Sequence, residues 1–123
     1  MKSKNRFSFS SRMNSFSYAF NGLKVLFREE HNARIHFIIA AVVVIAGLIL
    51  DIRALEWVAL VFAIGMVIAF EIVNTAVENL ADFVFPEKHH SIKKIKDLSA
   101  AAVLISVLSA VVAGMIIFAP KLF

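Results

Sequence analysis

The chain has 123 residues, of which 60% are hydrophobic, with a formal charge of +4 and no cysteine; its mean hydropathy is +0.82. Soluble domains carry about 45–50% apolar residues, so this composition excludes an ordinary water-soluble core and, with it, a soluble basic domain able to hold nucleic acid. The lack of cysteine excludes a disulfide framework and thiolate chemistry, leaving oxygen and nitrogen side chains for any catalytic work.

Residues 1–13 are polar and Phe/Ser-rich without periodicity, and are expected to form a mobile start. Their basic beginning is not closely followed by an apolar signal-peptide core or a small-residue cleavage site, so the N-terminus is expected to stay attached. Over residues 14–30 the pattern becomes helical. Phe16, Phe20, Leu23 and Phe27 fall on one stripe, with Asn14, Ser17, Asn21, Lys24 and Arg28 opposite, as in an amphipathic helix lying on a membrane surface.

Three apolar segments follow. The first, 35–50, is closed by Asp51 and is about 24 Å long as a helix, short for a bilayer but adequate with its flanks. The second, 54–85, is wholly apolar from Trp57 to Phe70, continues with polar residues on one face, and ends at Phe85 and Pro86. The third, 98–118, is stopped by Ala119 and Pro120 and reaches about 31 Å. A basic loop from Glu87 to Asp97 joins the last two. The fold expected is thus an all-α integral membrane domain: one surface helix and three transmembrane helices. Trp57 reads as an interface anchor, and the small residues from Ser99 to Val103 suit close helix packing.

Charge sets the orientation. Seven basic residues precede the first span (Lys2, Lys4, Arg6, Arg12, Lys24, Arg28, Arg34) and four lie in the second loop (Lys88, Lys93, Lys94, Lys96), whereas the opposite side has Arg53 and Lys121. The excess places the N-terminus and the second loop in the cytoplasm and the C-terminus outside.

The second span carries the unusual residues. Glu71, Asn74, Thr75, Glu78 and Asp82 share one helix face, because their spacing follows the helical period. Entering from the outer side at Ala54, the helix reaches Glu71 after about 26 Å, near the cytoplasmic boundary. Carboxylates crowded there repel one another and are costly to desolvate, so lysines or a divalent cation must neutralise them. A plainer alternative is that Glu78 and Asp82 cap a solvated helix end and pair with Lys88 or Lys96. The histidines, His31, His36 and the adjacent His89 and His90, are not spaced to assemble a zinc site. No P-loop is present, since Gly22, Gly47, Gly65 and Gly114 are scattered.

The string EIVNTAVENLAD from Glu71 to Asp82, followed by KDLSAAAVL from Lys96 to Leu104, closely resembles the signature of the prokaryotic diacylglycerol kinase family, which includes undecaprenol kinases. The resemblance continues upstream through Tyr18, NGLK from Asn21 to Lys24, and EEHNARIH from Glu29 to His36. It implies a homotrimer in a bacterial cell membrane, with active sites shared between neighbouring chains at the cytoplasmic interface. The reaction implied is transfer of the γ-phosphate of ATP to the primary hydroxyl of diacylglycerol or undecaprenol. By the same resemblance Glu71 is the general base, Glu30 and Glu78 are the Mg²⁺ carboxylates, and Asn74 supports the site. Tyr18, Glu87, His89, Lys96 and Asp97 match positions that hold ATP, Ala100 matches a lipid contact, and the family's N-terminal arginine falls at Ser11 or Arg12.

The residues themselves suit that chemistry, because phosphoryl transfer needs charge neutralisation, positioning and a proton acceptor. Two carboxylates suit Mg²⁺, which takes the rest of its oxygen ligands from phosphates and water. A small proton-coupled transporter using Glu71 is the competing class, although transport sites lie near the midplane. A noncatalytic membrane subunit is a third.

Overall fold

Hydrocarbon offers no water to satisfy backbone N–H and C=O groups, so apolar segments of this length close their hydrogen bonds internally as helices. The computed structural model describes residues 8–123. These form four helices: α1 (Phe9–Glu29), α2 (His31–Leu50), α3 (Ala54–Val84) and α4 (His90–Leu122). The last three are long and apolar enough to cross a membrane.

The surface helix starts earlier than its stripe suggested. Ser8 caps α1 by accepting a hydrogen bond from the Ser11 N–H at 3.2 Å, so residues 9–13 are helical instead of loose. Residues 1–7 of the expected mobile start lie outside the described residues. The apolar stripe of α1 is open, with Phe16 65% and Phe20 63% exposed, as befits a face meant for an apolar medium.

A single extended residue, Glu30, separates α1 from α2. The corner is fastened by Arg34, whose Nε donates to the Phe27 carbonyl at 2.8 Å and whose guanidinium also donates to the Arg28 carbonyl at 3.0 Å. Those carbonyls are orphans of the α1 end, so Arg34 acts as its cap. Leu26 and Ala33, each 1% exposed, fill the inside of the bend. Because the corner is closed this way, α2 begins at His31, four residues ahead of the expected 35.

At the other end, Asp51 adopts a left-handed conformation (φ 54°) that stops α2, and the Ile52 N–H returns to the Gly47 carbonyl at 3.2 Å. Glu56 then caps α3, its Oε1 accepting from the Arg53 N–H at 2.9 Å. Gly47 lies against Trp57 in this hairpin, and Ile52, Leu60 and Ile117 form a small core beside it, packed by Val43, Ile64 and Phe118.

The largest departure is α4. Its expected range was 98–118, yet it runs from His90 to Leu122, and the basic loop shrinks to residues 85–89. His89 explains the early start: its Nδ1 accepts from the Ser91 N–H at 3.0 Å, a side-chain N-cap. Pro120 does not end the helix. It removes one bond to the preceding turn, while the Phe123 N–H still reaches the Ala119 carbonyl at 3.0 Å. α3 and α4 pack along much of their length, which aligns the polar end of α3 with the basic start of α4.

Candidate active site

The polar stripe of α3 is graded by depth. Glu71, Asn74 and Thr75 are 2%, 7% and 5% exposed, Glu78 is half-buried, and Asp82 is open to solvent. Thr75 Oγ1 donates back to the Glu71 carbonyl at 2.9 Å, so its hydroxyl is satisfied within the helix. Glu71 Oε2 faces His36 Nδ1 on α2 across 2.6 Å. The Oδ1 atom of Asn74 is buried without a hydrogen-bond partner among the described residues. It lies beside a groove of about 360 Å³ between α3 and α4, walled by Phe70, Val73, Leu98 and Ser99.

The α1–α2 corner brings a second carboxylate to this stripe. Partial burial pushes the Glu30 carboxyl above its ordinary value; the charges of Glu78 and Glu71, a side-chain hydrogen bond to Glu78, and the charge of Glu29 add to the rise. Glu30, Glu71 and Glu78 therefore share one electrostatic neighbourhood. Glu29, the residue before the corner, accepts a hydrogen bond from Asn79 Nδ2 at 3.2 Å and ties α1 to α3.

That donor set fits a hard cation. The described residues contain no group of three or more His, Cys, Asp or Glu able to enclose a metal ion. Mg²⁺ does not need one, since it commonly binds through one or two carboxylates plus substrate phosphates. Glu30 and Glu78, each placed in the other's field, are a pair of carboxylates that could hold such an ion.

The residues expected to hold nucleotide divide into three sets. Glu87, His89 and Lys96 line one cavity of about 510 Å³ together with Asp82, Phe85 and Lys93. His89 is stacked on His90 with ring centroids 4.8 Å apart and meets Phe85 edge-on. Asp97 borders the adjoining groove with His90 and Lys94, and its Oδ2 lies 2.6 Å from Nζ of Lys93, which lines both. Tyr18 is 70% exposed on α1 and joins neither group within one chain, and Ala100 is exposed one turn beyond Lys96. The alternative in which acids of the stripe pair with lysines holds for Asp82, whose partner is Lys96, whereas Glu78 interacts with Glu30.

His36 was not among the expected site residues. Its signal lay in the hairpin: at 1.5 Å per residue, His36 and Glu71 are each roughly 21 to 26 Å from the Asp51–Arg53 turn, hence at matching depth in antiparallel helices.

The prokaryotic diacylglycerol kinase family matches this chain over residues 17–118. An undecaprenol kinase of Bacillus subtilis is 32% identical over 108 residues, 88% of this chain and 88% of that protein. A diacylglycerol kinase of Synechocystis is 33% identical over 109 residues, 88% of this chain and 62% of that longer protein. A diacylglycerol kinase of Escherichia coli is 29% identical over 108 residues, 88% of each chain.

Proposed function

Because this chain belongs to the prokaryotic diacylglycerol kinase family, we propose that it moves the γ-phosphate of ATP to the primary hydroxyl of diacylglycerol or undecaprenol at the cytoplasmic face of a bacterial membrane. The observation that carries the reading is Glu71. It is a carboxylate with 2% of its surface exposed, at the level where apolar helix gives way to polar stripe, with Glu30 and Glu78 beside it.

A lipid hydroxyl held at the interface reaches this level without leaving the bilayer. Its oxygen forms a bond to the γ-phosphorus as the bond to ADP breaks, and Glu71 takes the hydroxyl proton. Glu30 and Glu78 would hold Mg²⁺, which neutralises triphosphate charge when bound. The cavity lined by Glu87, His89 and Lys96 accommodates nucleotide, with Lys96 turning from Asp82 to phosphate. Asn74, with its free buried Oδ1, supports the same site. Tyr18, exposed on α1, and Asp97, in the groove adjoining the Lys96 cavity, would serve the site of a neighbouring chain in a homotrimer.

Proton-coupled transport through Glu71 is less well supported, since the acids gather at one end of the bundle instead of its middle. Purified protein incubated with Mg-ATP and either diacylglycerol or undecaprenol tests the proposal. Phosphorylated lipid with stoichiometric ADP is expected, and the faster initial rate identifies the substrate. No phosphorylated product from either lipid would overturn it.

A further inference from the structure

We propose that His36 is a positioning residue of this site: it anchors the Glu71 carboxylate through Oε2, so that Oε1 is presented to the lipid hydroxyl. The proposal rests on the kinase reading and adds a residue to it.

The geometry starts with the 2.6 Å separation of His36 Nδ1 and Glu71 Oε2, whose side chains are 22% and 3% exposed. Atoms this close repel unless a proton lies between them. Neither atom makes a hydrogen bond of good geometry to any described residue, the other included, so this short approach is the one polar contact on either. A buried carboxylate without such a partner is costly. A small turn of the imidazole lets Nδ1–H donate to Oε2, and the lone pairs of Oε1 then stay available to accept a proton.

The anchor has something to oppose. Glu30, at the α1–α2 corner, and Glu78, two turns along α3, both carry charge into this neighbourhood and would push the Glu71 side chain toward other rotamers. α3 fixes the backbone of Glu71 but not its side-chain torsions. His36 projects from the facing helix and removes that freedom, which is the condition for a near-attack geometry. His36 also stands at the head of an apolar groove of about 260 Å³ that passes Ile39, Val43, Ile64 and Val111 toward Phe118. Its contact with Glu71 therefore lies where the polar end of a membrane-embedded chain meets the base.

The test compares His36→Leu, which removes the donor, with His36→Asn, whose amide N–H can occupy the place of Nδ1–H, and His36→Gln, whose amide lies farther out. We expect His36→Leu to lower kcat for lipid phosphorylation by about 10²-fold, the scale of a misplaced catalytic group, with KM for Mg-ATP unchanged. His36→Asn should recover most of the loss and His36→Gln little of it. In a Glu71→Gln background, His36→Leu should cost nothing further, since the two residues act as one unit. If His36→Leu does not assemble, the Asn and Gln variants decide: equal activity in both overturns the role. Undiminished kcat in His36→Leu, or an additive loss on top of Glu71→Gln, also overturns it. A wild-type protein that phosphorylates no lipid would overturn the kinase reading and this role together, whereas active wild type with an active His36→Leu overturns the role alone.

Discussion

Lys96 on α4 lies 2.6 Å from Asp82 on α3, joining the basic start of one helix to the last acid of the polar stripe on the other. Lys96 is one-third exposed and Asp82 more so, so the pair contributes only about 0–1 kcal/mol to the fold. A triphosphate carrying several charges can therefore displace Asp82. We expect Lys96→Met to raise KM for Mg-ATP by about 10-fold or more, given about 1.5–3 kcal/mol for a hydrogen bond to a charged group. Asp82→Asn should lower it. Nucleotide titrations of both variants check this, and equal affinities in the two would remove Lys96 from the phosphate site.

Glu30→Gln and Glu78→Gln should each raise the Mg²⁺ concentration needed for half-maximal activity, because each removes a hard oxygen ligand and its charge. Unchanged Mg²⁺ dependence in both would exclude the assignment.

The raised Glu30 carboxyl gives a pH-dependent signature. A folded pKa above the unfolded value means that folding favours the protonated form, so stability present at low pH is lost as pH rises from the unfolded pKa through the folded one. In metal-free protein, Glu30→Gln should thus melt above wild type at neutral pH, and the gain should vanish below about pH 4, where the carboxyl is protonated in both states. Thermal melts at the two pH values measure it; a constant difference would point to packing instead.

Gly47 sits where a Cβ would lie 2.9 Å from Trp57 Cη2 and 3.2 Å from Ile52 Cδ1. Gly47→Ala should destabilise the α2–α3 hairpin by about 1–3 kcal/mol, the range for overpacking. Adding Trp57→Leu should relieve part of the loss. Thermal unfolding in detergent reads both, and a neutral Gly47→Ala would show that the indole yields freely.

Orientation can be read with single cysteines, since the chain has none of its own. Lys94→Cys should resist a membrane-impermeant thiol reagent in intact cells, while Lys121→Cys reacts. The reverse pattern would invert the topology.

Much of this arrangement was legible in the sequence because single-helix periodicity carries it. The burial of Glu71, Asn74 and Thr75 and the exposure of Asp82 follow from a 3.6-residue repeat crossing an interface. Three apolar runs became three helices long and apolar enough to cross a membrane. The start of α4 was hidden because Lys93, Lys94 and Lys96 look the same in a basic loop and on an exposed first turn; only the His89 cap distinguishes them. The start of α2 was hidden because Arg34 spends its guanidinium on carbonyls six and seven residues back. His36 and Glu71, like Lys96 and Asp82, pair across helices, and helix-by-helix periodicity carries no record of which faces meet.

The buried carboxylate on α3 is expected to take the proton of a lipid hydroxyl while a separate set of residues holds Mg-ATP. Glu71→Gln keeps the size and hydrogen bonding of the side chain but cannot accept the proton. Turnover at saturating lipid and Mg-ATP, measured beside Mg-ATP affinity in the same preparation, should fall by about 10²-fold or more while nucleotide affinity stays near wild type. Wild-type turnover in Glu71→Gln would contradict the assignment of the base, and loss of Mg-ATP binding would move Glu71 from proton transfer to the metal site.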